Sequence, residues 1–488
     1  SAMTQFSRRT FITGLLAGSV VACSPVITRV ERPTMPEGFA PPNTQGRNPV
    51  VHLLNRASYG MRPGMVQQVE NMGTADWLQQ QLDYDTIPDR GVNLRLRRYD
   101  TLTMNSADLL SFSRLPDRHM LADELATATL IRAVFSERQL YELLVGFWSD
   151  HFSIYHYKNE VPNLKTVDDR EVIRPHALGN FADMLRASAH SPAMLVYLDN
   201  VQNEKSHPNE NYAREIMELH TLGVDGGYTE DDIKEVARCF TGWSVNENGE
   251  FVFISDWHDY DEKRVLGETI RSEDGKSDGD RVLEILLAHP STPQFIATKL
   301  VRRFVADDPP AAMVDSVAST LRGTQGNIKA AVRAIFEHPD FATAPPKLKR
   351  PFELLVSLLR VTNANYNGNK DLLQRLEAMG HRPFDYPTPD GYPDTAQSWT
   401  GSLLNRWNLV IDAISGSLPG VTIDMQPFYD LAQADGDAVA YMAAAFTGHA
   451  ITTQDRQAID IFIEEQNAGE QLLRTAGAVL VSPAFQWR

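Results

Sequence analysis

The chain has 488 residues, 42 % of them hydrophobic, enough for a large buried core and roughly two to four average domains. Its 46 Lys and Arg against 63 Asp and Glu give a net charge of −17, which argues against a duplex nucleic-acid binder, because such binding rests on neutralising phosphates. Two cysteines, Cys23 and Cys239, exclude an iron–sulfur cluster, a cysteine zinc site and a Cys-x-x-Cys-His haem attachment.

Ser1-Ala2-Met3 reads as an expression scar ahead of the native start. Ser7-Arg8-Arg9-Thr10-Phe11-Ile12 then opens an uncharged run to Ala22, the pattern of a twin-arginine export signal, and that run is too short to span a bilayer. Val20-Val21-Ala22-Cys23 resembles a lipoprotein cleavage box, so residues 1–22 are expected to be removed and Cys23 acylated; plain cleavage with an incidental cysteine is the alternative. Loss of Arg8 and Arg9 makes the mature chain more acidic still, and acylation leaves Cys239 without a disulfide partner. Ser24 after the cysteine points to the outer membrane. Residues 23–47, with Pro25, Pro33, Pro36, Pro41 and Pro42, form a spacer.

From residue 48 the apolar spacing predicts helices over 50–58, 63–82, 120–154, 175–188, 209–222, 229–241, 280–288, 293–306, 311–321, 327–337, 351–363 and 371–378. Strand signals are sparse, the best being a hairpin from Gly242 to Val245 and Phe251 to Ile254 around a polar turn. The expected fold is mainly α: a large multi-helix single-body domain with a small β-hairpin insertion, its helical core over 48–419 and a C-terminal helical segment, 420–488, packed on it. Pro175 suits a first helical position, Thr229-Glu-Asp-Asp232 a capping box, and His289-Pro290 and His338-Pro339 helix stops whose histidines act as caps.

Several segments can carry chemistry. In Phe147-Trp148-Ser149-Asp150-His151-Phe152, His151 lies on an apolar stripe with Leu140, Leu144, Phe147 and Trp148, and Asp150 lies off it; His151 can serve as acid, base or ligand beside an aromatic pocket. Arg170, Arg174 and His176 flank an expected helix start, where guanidinium groups and the helix dipole would hold an anionic substrate; the alternative is an internal partner such as the Glu210 to Glu218 face. On the 209–222 helix, ~100° per residue sorts Tyr212, Ala213, Ile216, Met217, Leu219 and His220 onto one arc and Glu210, Asn211, Arg214, Glu215 and Glu218 onto the other. Surface ion pairs explain the second arc; a cleft lined by Glu215 and Glu218 as metal ligands or general bases, with Arg214 toward substrate and His220 as a further catalytic candidate, is the sharper reading. His258-Asp259 with Lys263 forms another candidate cluster. Asp274-Gly-Lys-Ser-Asp278-Gly-Asp280 lacks the bidentate acid of a calcium loop and is expected to be a solvated turn. Pro389-Asp390-Gly391-Tyr392-Pro393-Asp394 is a rigid acidic turn able to place Asp390 and Asp394 around an ion, with Tyr392 toward a sugar.

No Gly-x-Ser-x-Gly, His-Glu-x-x-His, Walker or Gly-x-Gly-x-x-Gly motif is present, which removes the standard esterase, zincin, nucleotide hydrolase and dinucleotide readings. Taken in order, Arg56-Ala-Ser-Tyr59-Gly60, Phe147-Trp148-x-x-His151-Phe152, Asp169-Arg170-Glu171 through Arg174-Pro-His176, Asn209 through Gly223, Thr241-Gly-Trp243, His258-Asp259 and Pro389 through Asp394 resemble the domain-of-unknown-function family 1800 over about residues 48–488. That resemblance implies a bacterial protein exported by the twin-arginine route, with a sulfatase-like exported protein as a candidate partner, and supplies no reaction. Many relatives read Phe-Trp-His-Asn-His-Phe where this chain has Ser149 and Asp150, which leaves His151 as the surviving histidine of that block.

The expected function is therefore that of a periplasmic, lipid-anchored enzyme, metal-assisted or acid/base and hydrolase-like, on an anionic or polyhydroxylated substrate, with at most one divalent metal ion as cofactor. Its catalytic candidates are His151, Glu215, Glu218, His220, His258 and Asp259; its substrate-binding candidates Arg170, Arg174, His176, Arg214, Lys263 and Tyr392; its metal candidates Glu215, Glu218, Asp390 and Asp394. The alternatives are a non-catalytic binding or assembly lipoprotein and a metal-dependent oxidoreductase.

Overall fold

The computed structural model describes residues 48–112, 119–159, 161–463 and 468–488; the expected export signal, Cys23 and the expected spacer lie outside them. The chain is mainly α, and its strands occur as short antiparallel pairs. A single hydrophobic cluster runs from Val50 through Phe485, so residues on both sides of position 420 share one core. Among the described residues no helix is long and apolar enough to cross a membrane.

Local chemistry accounts for most of the elements. Asn48 caps Pro49–Ala57 by accepting from the Val50 N–H at 2.8 Å, with proline at the first helical position where its missing donor costs nothing. Thr229 and Asp232 form the expected reciprocal capping box on Glu230–Cys239. The Nδ1 atoms of His289 and His338 accept from the amides two residues on, so both histidines cap as expected. Trp243–Val245 pairs with Phe251–Phe253 in the register Trp243↔Phe253, with a second small hairpin over Lys263–Val265 and Glu268–Ile270 that the sequence pattern did not signal.

Three expected helices are broken. The 63–82 segment divides at Gly73, whose φ of 95° no helix adopts, into Met65–Met72 and Thr74–Leu82. The 120–154 segment divides at Ser136, whose hydroxyl accepts from the Arg138 N–H at 3.0 Å and starts a new helix, Gln139–His151. At 175 the correction is larger: Val161–Asp168 continues through a π-helical turn, Asp169–Ile173, into Arg174–His176, so Pro175 sits inside a helical run. The Arg174 N–H bonds back to Asp169 five residues earlier, and this widened turn accommodates a proline that would clash in regular α geometry. A second π turn, Ile216–Thr221, extends Glu210–Glu215.

Candidate active site

Two glycine and proline features bring separate blocks together. Gly391 has φ 73°, and a Cβ there would stand 2.1 Å from the Asp150 carbonyl oxygen, so only glycine lets the 389–394 turn lie against the end of Gln139–His151. Pro351 starts Pro351–Val361, and Glu353 reaches back to accept from the Arg350 N–H at 3.0 Å, which fixes Arg350 and Glu353 at the head of that helix. The third wall is the last turn of Ser291–Phe304, which carries Lys299, Arg302 and Arg303 and packs against the 216–221 π turn. Together these elements enclose a cavity of about 180 Å³ lined by Phe147, Asp150, His151, Lys299, Arg302, Arg303, Arg350, Asp390, Tyr392, Pro393 and Asp394.

Positive charge dominates the floor. The guanidinium groups of Arg303, Arg350 and Arg488 all converge on one oxygen of Glu353, the last two at 3.3 Å. Burial alone would raise the Glu353 carboxyl, and the three cations override it and hold it well below the usual range. Asp150 pairs with Arg350 at 2.7 Å, yet burial leaves its carboxyl above the ordinary value. Asp394 stands 3.7 Å from both Arg303 and Lys347; burial opposes its ionisation, and Lys347, Arg303 and Arg350 keep it below the ordinary value. Arg303 is 1 % exposed, and its Nε and Nη2 have no hydrogen-bond partner among the described residues.

Lys299 differs from its neighbours. No hydrogen bond or ion pair joins it to a described residue, and its ammonium stands 5.6 Å from the Phe295 ring centroid. Burial, reinforced by Arg302 and opposed by Asp150, Asp394 and Asp390, pushes its amine down to about 8. His151 is buried against Phe147, Trp148, Phe152 and Phe181, and Nε2 lies 3.1 Å from the His220 carbonyl oxygen. That contact assigns the proton to Nε2 and leaves the Nδ1 lone pair without a partner, while burial keeps the imidazole neutral, well below its usual range.

Around the rim, Asp390 is exposed and accepts from the Thr388 hydroxyl at 2.5 Å. Glu215 is partly buried; burial first, then the neighbouring charges of Glu218 and Asp390, push its carboxyl up to about 7 against the pull of Arg214. Tyr392 lines the cavity with its ring and donates its hydroxyl to the Arg382 carbonyl at 2.6 Å. His151, Asp390, Tyr392 and Asp394 therefore meet as lining residues of one cavity, with Glu215 beside the rim.

The other sequence candidates lie elsewhere. Arg174 is bound by Asp169 at 2.8 Å and by both oxygens of Glu142 at 3.1 and 3.2 Å, not by the Glu210 to Glu218 face. Arg170 donates to the Leu102 and Met104 carbonyls and to Glu171, and no helix N-terminus opens beside it, so the expected anion site there does not form. His176 lies on the same run, partly exposed. Arg214 clasps Glu230 at 2.8 and 2.9 Å, with Glu210 and Glu218 at 3.6 and 3.5 Å, the arrangement of surface ion pairs. His220 is buried against Phe152 behind His151, and burial pushes it down to about 3. His258, Asp259 and Lys263 belong to a separate buried cluster: Asp278 bonds Lys263 at 2.6 Å and His258 at 3.0 Å, and Asp259 clasps Arg238 at 2.7 Å. Asp278 is thus an internal counter-ion and the 274–280 segment no solvated turn, because burial of Lys263 demands a carboxylate.

The metal quartet is not gathered. Glu218 turns to Arg214, Asp394 to the arginine floor and Asp390 to Thr388, since each carboxylate follows the nearest donor. Among the described residues no group of three or more His, Cys, Asp or Glu side chains is placed to hold a metal ion. Cys239 is buried and unpaired, and burial pushes its thiol up.

Sequence reasoning missed Lys299, Arg302, Arg303, Arg350 and the pairing role of Asp150. One signal was present: Arg303 sits on the buried stripe of Ile296, Leu300 and Phe304, where a charge demands an internal partner. Ser149 faces a second cavity of about 50 Å³ that Asp150, Arg350 and Tyr392 also line. A family model described as "Protein of unknown function (DUF1800)" matches residues 52–487. No curated protein and no solved structure matches the chain.

Proposed function

The chain belongs to the DUF1800 family, whose description names no reaction, and we propose that it is an exported, lipid-anchored enzyme of hydrolase type that uses acid/base chemistry on an anionic or polyhydroxylated extracytoplasmic substrate. The observation that carries this reading is the convergence of a neutral His151 and an unpaired Lys299 in one arginine-floored cavity. In hydrolysis, His151 Nδ1 accepts a proton from the attacking water, whose oxygen bonds to the substrate centre. The Lys299 ammonium, poised near neutral pH, gives a proton to the leaving group as its bond breaks. Arg302 and the guanidinium floor stabilise negative charge as it develops. Glu215, titrating at about 7, supplies a further exchange site for protons. No step is assigned to a metal. The twin-arginine signal and Cys23 support export and anchoring from the sequence alone.

A second reading keeps one observation of its own. The Lys263–Asp278–His258 group is a closed, buried network, as a non-catalytic assembly lipoprotein would carry, with a sulfatase-like exported protein as the candidate partner.

A panel of p-nitrophenyl phosphate, sulfate, acetate and glycosides separates the two. The enzyme reading expects turnover of one class, reduced about 10²-fold or more in His151→Asn and Lys299→Met with an unchanged Tm. Absence of turnover across the panel, or turnover undiminished in both variants, overturns it in favour of the assembly role.

A further inference from the structure

We infer that the cavity at the end of Ser291–Phe304 is a binding site for a tetrahedral oxyanion, the phosphate or sulfate group of a substrate, held by Lys299 and Arg302. This deepens the reading of the cavity as an active site and rests on it. Lys299 and Arg302 are three residues apart in the last turn of that helix, so their side chains leave the same face and converge, and a helix C-terminus favours cations there. Both are partly exposed and both line the cavity. The Lys299 ammonium is bonded to no described residue; Arg302 uses Nε on the Asp307 carbonyl at 3.1 Å and leaves both Nη groups unbonded to any described residue.

The second, independent observation is the buried charge behind them. Besides the Glu353 carboxylate they share with Arg488, Arg350 pairs with Asp150 and Arg303 stands 3.7 Å from Asp394, yet the Nε and Nη2 atoms of the buried Arg303 have no hydrogen-bond partner among the described residues. Buried guanidinium donors left without acceptors are costly, and an oxyanion supplies acceptors. Two of the cavity's carboxylates are paired with cations, Asp150 with Arg350 and Asp394 with Arg303 and Lys347, and the third, Asp390, lies at the exposed rim, where it accepts from Thr388. An ammonium and a guanidinium side by side offer donors in more than one plane, which suits three oxygens of a tetrahedral group better than the two of a planar carboxylate. A volume of about 180 Å³ admits such a group and excludes a large polymer residue from the floor.

The test is isothermal titration of the mature protein with inorganic phosphate, sulfate and acetate in separate arms, for wild type, Lys299→Met, Arg302→Met and a surface control, Lys276→Met. The expected result is binding of phosphate or sulfate at least tenfold tighter than acetate, weakened about tenfold or more by either cavity variant and unchanged in the control. The stronger of the two oxyanions identifies the ester class. Equal binding of acetate, no oxyanion binding, or binding that survives both cavity variants overturns the inference. Because these arms read binding without turnover, oxyanion binding without hydrolysis refutes only the hydrolase reading, and hydrolysis of an uncharged ester without oxyanion binding refutes only this one.

Discussion

The protein holds two clusters built from the same three residue types, one buried and one lining a cavity, and they behave oppositely. In the first, His258, Lys263 and Asp278 saturate one another: Asp278 Oδ2 bonds His258, Lys263 and Ser272, and Lys263 also donates to the Asp259 carbonyl. In the second, His151, Lys299 and Asp394 share the wall of a cavity, Lys299 is bonded to no described residue, and His151 keeps an unpartnered Nδ1. Residue type is the same in both; what separates the closed cluster from the open one is whether the donors and acceptors are already filled.

The largest expected effect breaks that comparison at its closed member. Lys263→Met leaves Asp278 buried without its cation and is expected to cost about 3–5 kcal/mol, whereas Lys299→Met orphans no partner and is expected to leave stability within about 1 kcal/mol. Chemical denaturation of the two variants beside wild type reads the difference, and equal losses would erase the distinction.

Acid comes next. Burial holds His151, His156, His220 and His381 below their ordinary values, His156 and His220 near 3. A depressed histidine contributes no penalty above its unfolded value of about 6.5 and destabilises as pH falls toward the folded value, by about 2 kcal/mol at pH 5 for each of His156 and His220. Depressed Glu353 and Asp394 act only at lower pH, because their unfolded counterparts remain largely ionised until about pH 4.5. Tm is therefore expected to fall by roughly 5–10 °C between pH 7 and pH 5, measured by calorimetry. A flat profile over that interval would contradict the burial of these rings.

A smaller effect sharpens the open member. Gly391→Ala must accommodate φ 73° and the Asp150 carbonyl, so it is expected to cost about 1–3 kcal/mol and to weaken binding in the cavity. The smallest concerns Glu215. Its folded value of about 7 lies above the unfolded one, so its ionisation destabilises the fold as pH rises through that interval. Glu215→Gln is expected to raise Tm by about 1–3 °C at pH 8 and to leave it nearly unchanged at pH 4, where the carboxyl is largely protonated in both folded and unfolded states. A gain at both values would point to a packing effect instead.

How much of this was legible differs between elements. The faces of the 209–222 helix follow from simple periodicity, since Tyr212, Ala213, Ile216, Met217 and His220 are all buried, and the Trp243 hairpin follows from alternation around a polar turn. The π turns at 169–173 and 216–221 were not legible, because apolar spacing through a widened turn still resembles an α-helix and Pro175 then imitates a helix start. In the site, the 389–394 turn and His151 were each visible locally, yet their meeting depends on the Gly391 approach to Asp150, a contact between residues 241 positions apart. Lys299 and Arg302 were invisible for another reason: two cations in the last turn of a helix are the ordinary complement of its dipole. Only their lack of partners in three dimensions distinguishes them.

The most direct measurement of the central claim is competitive acetylation of the native protein with trace acetic anhydride from pH 6 to 10, read at each lysine by peptide mass spectrometry. Lys299 is expected to react with a midpoint near 8 and Lys263 to stay protected until the protein unfolds. Protection of Lys299 equal to that of Lys263, or a Lys299 midpoint above 10, would show that the cavity is as closed as the His258 cluster and would contradict that claim.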